Sequence, residues 1–244
     1  MANTKISALT ELTGADVDIA ADFLAIVDTG VTTTKKIIPS NLLGAAFTTA
    51  GDILQASGDG VAARLGIGTA RQVPTVNSGA TALAYANPIT LATVQASTSG
   101  TSIDFTSVPA GVRRVTVLID GVSTSGTSVM IVQIGDSGGI EATSYVGSAW
   151  GALNGNPELI INPTTGFGVA PDGGAGYLRY GIVVLHLITG STWVASGGGG
   201  QSDSARQWGC GGSKALSAAL DRVRITTVGG TDTFDAGQIN ISYE

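Results

Sequence analysis

The chain carries one histidine, His186, and one cysteine, Cys210, so a hydrolase of the serine or cysteine type has a single imidazole to draw on. Hydrolysis by a serine or cysteine nucleophile needs an imidazole base beside it. His186 lies in YLRYGIVVLHLI, where a strand would put Leu185 and Leu187 on one face and Val184, His186 and Ile188 on the other. That setting predicts a packed, hydrogen-bonded histidine and no base. Cys210 lies in WGCGGSK, a glycine-rich run read as a loop, with no neighbour that would lower a thiol pKa, and it is expected to be inert. A single cysteine allows no intrachain disulfide, and one His with one Cys does not furnish the usual nitrogen and sulfur ligands of zinc. No metal and no cofactor is expected.

Carboxylates alone can cleave a glycan, because a suitably spaced Asp/Glu pair is the catalytic apparatus of most glycoside hydrolases. The candidates are Asp104, Asp120, Asp136, Glu141 and Glu158. Asp120 precedes Gly121 and Asp136 precedes Ser137-Gly138-Gly139, which is ordinary turn chemistry. Asp16, Asp18 and Asp22 have a calcium-like spacing but lack the central Gly and terminal Glu of an EF-hand loop, so capping or solvated roles are expected. The run Gly66-Ile67-Gly68-Thr69-Ala70-Arg71 lacks the third glycine of a dinucleotide fingerprint, and the Gly-Lys-Ser/Thr of a phosphate loop does not occur. The expectation is a protein that is not an enzyme.

What remains is recognition. Trp150, Trp193 and Trp208 all fall in the C-terminal part, two of them beside glycine in GSAWGALNG and ARQWGCGG, segments that read as loops. Exposed rings among small polar residues suit sugar faces or protein pockets, although a tryptophan in a β domain is more often core. With them, Tyr145, Asn154, Asn156, Gln201, Asp203 and Arg206 supply polar contacts. The surface-binding candidates are Tyr145, Trp150, Asn154, Trp193, Gln201, Arg206 and Trp208.

The elements that must position these groups are strands. Of 244 residues 12% are charged and 36 are Gly, while 43% are hydrophobic with only 5% aromatic, a composition of short strands and turns in which helix is a minority. A net charge of −6 argues against nucleic acid, which is gripped by clustered Lys and Arg. The densest basic groups, Arg113-Arg114 and Arg222/Arg224, read as solvated strand faces. No run approaches the roughly 20 apolar residues of a membrane span, and MANTKISALTELTG lacks the blocks of an export signal, so no membrane insertion and synthesis in a cytoplasm are expected.

From about residue 91 strands are predicted at 112–119, 128–134, 178–188, 192–196, 223–228 and 238–243, with turns at 123–127, 136–139, 172–176 and 197–200. Period-two alternation in Arg113–Ile119 and Arg222–Thr226 sets one face on a core and the other toward water. About 150 residues suffice for one antiparallel β-sandwich or jelly roll, here 91–244. Residues 1–45 read as a small α+β head with a strand at 23–27, a turn at Gly30, a strand at 33–38 and a brief helix over 42–46. Asn87-Pro88 marks a joint.

Residues 46–90 are the most telling. The stretch GDILQASGDGVAARLGIGTARQVPTVNSGATALAYA scatters single β-formers among Gly, Ser, Thr and Asn and never accumulates a core. One copy buries too little apolar surface to offset the entropy of ordering its backbone. Identical chains sharing a symmetric axis solve this, and the segment is read as a β-rich fibre shaft.

The run GDIL, then Ala63-Arg64-Leu65, then GIGTARQVPTVNSGATALAYA resembles the stalk element of bacteriophage tail fibres and related virion fibre proteins, departing from it at Arg71 and Pro74. Lys5 to Leu43 resembles the N-terminal module of those proteins, and DAGQINISYE at 235–244 their terminal strand, whereas 91–234 matches loosely. The resemblance implies a mainly β virion structural protein: an attachment head at 1–45, a trimeric shaft at 46–90 and a receptor-binding tip at 91–244. Its partners would be itself, a phage tail, baseplate or capsid protein, and a host surface glycan or protein; it would reside in the virion after assembly in the host cytoplasm. A capsid fibre or decoration protein is the alternative, and a glycan-degrading tailspike a further one.

Overall fold

Where apolar and polar residues alternate, as in 114–119 and 222–226, the chain is strand, and no helix occurs among the described residues. The computed structural model describes residues 24–27, 34–37, 47–58, 61–77, 79–153, 156–171, 174–202 and 205–244. Asp16, Asp18, Asp22 and the helix expected over 42–46 lie outside them. The chain divides into two units, Met1–Pro88 and Ile89–Glu244.

In the first unit β1 (Leu24–Val27) pairs antiparallel with β2 (Thr34–Ile37), the two strands expected around Gly30. Two more hairpins follow: β3 (Ile53–Gly58) with β4 (Val61–Leu65), and β5 (Val73–Val76) with β6 (Leu83–Ala86). Gln55 Oε1 accepts from Leu83 N–H at 3.0 Å and ties the second pair to the first. Among the described residues of 47–88 no apolar residue is buried; Phe47, Leu54, Ile67, Val73, Val76 and Leu83 are all exposed.

The GDIL run owes its character to one carboxylate. Gly51 takes φ +94, a conformation open to glycine, and delivers Asp52 into a ring of donors. Asp52 Oδ2 accepts from Thr48 N, Thr49 N and Arg64 Nη1, each at 2.9 Å, and Oδ1 accepts from Ile67 N at 2.9 Å. Burial pushes this carboxyl up, but the three amides and Arg64 outweigh it and hold the group well below the usual range. Asp52→Asn removes the charge that organises these amides. Hydrogen-exchange protection at Thr48, Thr49 and Ile67 should fall on the order of tenfold; unchanged protection would contradict this role.

The second unit runs β7 (Thr90–Leu91), β8 (Gln95–Ala96), β9 (Ser102–Thr106), β10 (Arg114–Thr124), β11 (Met130–Asp136), β12 (Gly139–Ile140), β13 (Val146–Leu153), β14 (Asn156–Ile161), β15 (Phe167–Val169), β16 (Arg179–Thr189), β17 (Thr192–Gln201), β18 (Arg206–Ala215), β19 (Arg222–Thr227) and β20 (Phe234–Tyr243). A nine-stranded antiparallel sheet has the order β14-β13-β18-β17-β16-β10-β20-β7, with β8 also on β20. A five-stranded sheet has the order β12-β11-β19-β9, with β15 on β11. Val115, Val117, Val183, Leu185, Trp193, Ile239 and Ile241 of the first sheet share one buried cluster with Ile103, Phe105, Val132, Ile134, Val223 and Ile225 of the second, so the unit is sandwich-like.

Several expectations are corrected. Gly197–Gly200 is no turn: it is the middle of β17, hydrogen-bonded to β16 on one side and β18 on the other. WGCGGSK and residues 147–153 of GSAWGALNG are no loops either, since they form most of β18 and of β13. Glycine carries no hydrophobic signal, so period two is invisible in such runs, yet several of these glycines make room for a neighbour. A methyl on Gly181 or Gly199 would lie 2.6 or 2.8 Å from Trp208 Cζ2, so the buried indole rests on bare backbone. Asp120-Gly121 is a bulge inside β10, where pairing with β16 shifts between Ile119 and Val122, and again no turn. His186 shares a face with Val184 and Ile188 as expected, but that face points away from the second sheet, and His186 is exposed instead of packed.

Candidate functional site

The seven surface-binding candidates do not assemble into one site. Trp193 on β17 is 2% exposed and Trp208 on β18 is 3% exposed; both belong to the shared core. Tyr145 is equally buried, its hydroxyl accepting from Ile134 N–H at 2.8 Å and donating to Ile134 C=O at 3.2 Å, with Phe167 edge-on at 4.9 Å. Burial raises its phenol pKa. Asn154 and Asp203 lie outside the described residues.

Gln201, Arg206 and Trp208 do meet. With Leu159, Pro171 and Gln207 they line a cavity of about 10 Å³, room for a single water and too small for a sugar. Arg206 stands 5.9 Å over the Tyr177 ring.

Of the seven candidates Trp150 alone is an exposed ring, on the outer face of the nine-stranded sheet. Cross-strand register places it in the row Ile160, Trp150, Gly209, Gly198, Ile182, so its indole lies flat over Gly209, where a methyl would come within 2.6 Å of Nε1. Cys210 is half-buried on the same strand, and burial pushes its thiol up to about 11, in keeping with an inert side chain.

Two of the five candidate carboxylates converge, which spacing alone did not foretell. Asp136 at the end of β11 accepts from Ser217 Oγ and from Gly138 N at 2.8 Å, while Glu141 accepts from Ser217 N at 2.7 Å and pairs with Lys214. Lys214 is 4% exposed and stands 5.6 Å over the Tyr145 ring. The Ser217 hydroxyl bond holds Asp136 below the usual carboxylate range, with Gly138 assisting. Burial pushes Glu141 up, but Lys214 and Ser217 more than offset it, so Glu141 too is lowered. Both stand as acceptors, with no proton to give near neutrality. Of the others, Asp104 is bound bidentately by Arg224 at 2.7 and 2.8 Å, and Asp120 accepts from Gln238 Nε2 at 2.9 Å; the Glu158 side chain lies outside those described.

A larger cleft, about 250 Å³, opens between β9 and β20 and is lined by Thr93, Gln95, Asp104, Thr106, Ser107 and Tyr243 over Phe105, Val108 and Ile241, a set that no one motif marked. Only the pairing of β9 with β19 and of β8 with β20, each across more than a hundred residues, brings them together.

No family model, no curated protein and no solved structure matches this chain. Among the described residues no group of three or more His, Cys, Asp or Glu could hold a metal ion, and no helix is long and apolar enough to cross a membrane.

Proposed function

We propose that the chain is the subunit of a homotrimeric bacteriophage virion fibre. In this reading residues 1–45 bind a tail, baseplate or capsid protein, 46–90 form the three-chain shaft, and 91–244 form a tip that contacts a host surface glycan or protein. One observation carries it: 47–88 form hairpins, yet no apolar residue described there is buried within the chain. Two-stranded hairpins are marginal in water by themselves, and neighbouring copies would supply the missing cover. Three linked tips would also raise the effective affinity for a repetitive surface, so each contact need only be weak.

Native mass spectrometry or light scattering at micromolar concentration should give three times the 24.3 kDa of one chain. A monomer would overturn the reading.

Binding without turnover fits the carboxylates better than a glycan-degrading spike does. Glycoside hydrolysis needs one carboxyl kept protonated by a raised pKa, and the two that converge are both lowered. Incubation with host polysaccharide should release no oligosaccharide; release abolished by Asp136→Asn or Glu141→Gln would restore the enzyme.

A further inference from the structure

We infer that the cleft between β9 and β20 binds a neutral pyranose ring of a surface glycan, an inference that rests on the receptor-binding reading above and locates its contact. The cleft lies where the edge strand of the five-stranded sheet parts from the β20 flank of the nine-stranded sheet. Its floor is apolar and buried, made by Phe105, Val108 and Ile241, with the half-buried Tyr243 ring beside it. The rim is neutral and polar. Thr93, Thr106 and Ser107 are exposed, and no described residue hydrogen-bonds to their hydroxyls, which leaves donors and acceptors free above an apolar base. Gln95 is fixed at the rim because its Nε2 donates to Asp104 C=O at 2.7 Å.

This composition matches the two-sided chemistry of a pyranose, whose C–H face seeks rings and aliphatic groups while its hydroxyls seek hydroxyl and amide partners. Charge narrows the ligand further. The one ionisable carboxylate at the rim, Asp104, already has both oxygens engaged by Arg224, so it offers no free anion for a cationic sugar. Nor is there a free cation among the lining residues for an acidic one, and the net charge of −6 repels acidic sugars at long range. At about 250 Å³ the cleft falls just below the range usual for sites that enclose a drug-sized ligand, which suits a single ring with its chain leaving into solvent. Ser107 adds an independent mark: it holds φ +63, a left-handed conformation rare outside glycine, and such strain concentrates where side chains are presented to ligands.

The test is saturation-transfer NMR on the full chain with glucose, galactose and mannose, and with glucuronate and N-acetylneuraminate as charged controls. At least one neutral hexose should receive transfer, with a dissociation constant on the order of millimolar. Thr106→Arg, at an exposed rim position, should abolish the signal, whereas Thr231→Arg on an exposed loop outside the cleft should leave it intact. Ser107→Gly keeps the backbone conformation and removes one hydroxyl, so it should weaken binding several-fold without loss of fold. Transfer to charged sugars alone, to no sugar, or undiminished transfer in Thr106→Arg would each overturn the inference. Labelled protein on susceptible cells separates the two readings. Wild-type chain that binds hexose but leaves cells unstained refutes the receptor reading; staining that persists in Thr106→Arg after hexose binding is lost refutes the cleft as the contact.

Discussion

Gly199→Ala is expected to destabilise the second unit by about 3 kcal/mol or more, while Gly200→Ala one residue on changes stability by less than about 1 kcal/mol. A methyl on Gly199 would lie 1.9 Å from the Tyr180 carbonyl oxygen and 2.8 Å from Gly181 Cα, both backbone atoms of β16, so the sheet itself would have to open. Gly197 is nearly as tight, at 2.6 Å from the Ile182 carbonyl oxygen. At Gly200 the nearest atom is the Arg206 carbonyl oxygen at 3.5 Å, an ordinary contact. Tolerance should thus alternate along the run, with Gly198, 3.1 Å from the Trp208 carbonyl oxygen, in between. Chemical denaturation of the four alanine variants measures it. Uniform effects would show that the run is a loop after all.

Lys214→Met should cost about 2–4 kcal/mol at neutral pH, because it leaves Glu141 without its cation while the thioether fills much of the same space. The loss should shrink in acid. Asp136 and Glu141 have folded pKa values below their ordinary 3.8 and 4.5, so the stability they contribute is complete above those values and is lost as pH falls through the depressed ones. In the variant the Glu141 carboxylate keeps only its Ser217 hydrogen bonds against burial, so wild type and variant should converge as pH falls through the depressed pKa of wild-type Glu141. The double variant Lys214→Met with Glu141→Gln should recover part of the stability, since no charge is then left unmatched. Melting temperatures across pH check both statements, and a pH-independent difference would refute the ionic account.

How much was legible follows from which side chains carry a signal. The strands at 114–124 and 222–227 were readable because Val and Ile alternate with polar residues there, and Val115, Val117, Val223 and Ile225 are buried as that pattern requires; those at 130–136 and 179–189 were readable from their runs of Val, Ile and Leu. β17 and β18 were not, because bare backbone occupies inward positions at Gly197, Gly199 and Gly212 and the bulk that fills the space comes from another strand. A signal was nonetheless present: 192–201 and 206–215 are runs of equal length about a short connection, and they pair without a shift from Thr192↔Ala215 to Gln201↔Arg206. The tryptophans illustrate the same point. Glycine beside Trp208 suggested a loop, whereas glycine across from it, Gly199, is what admits the ring to the core. The Lys214, Glu141 and Asp136 network and the cleft beside β9 escaped notice because tertiary pairing alone joins their parts.

The partners of β10 have a kinetic meaning. Val115 pairs with Tyr243 and Val117 with Ile241, so a strand made early in the unit waits for one made more than a hundred residues later. A nascent chain stopped before Phe234 lacks the neighbour that covers one edge of β10, and β7 and β8 have nothing to pair with. Closure on such distant contacts is slow, and it comes only after synthesis has passed the last strand. Ribosome-bound intermediates will therefore expose that edge, which makes high-level expression prone to aggregation and favours cooler, slower production.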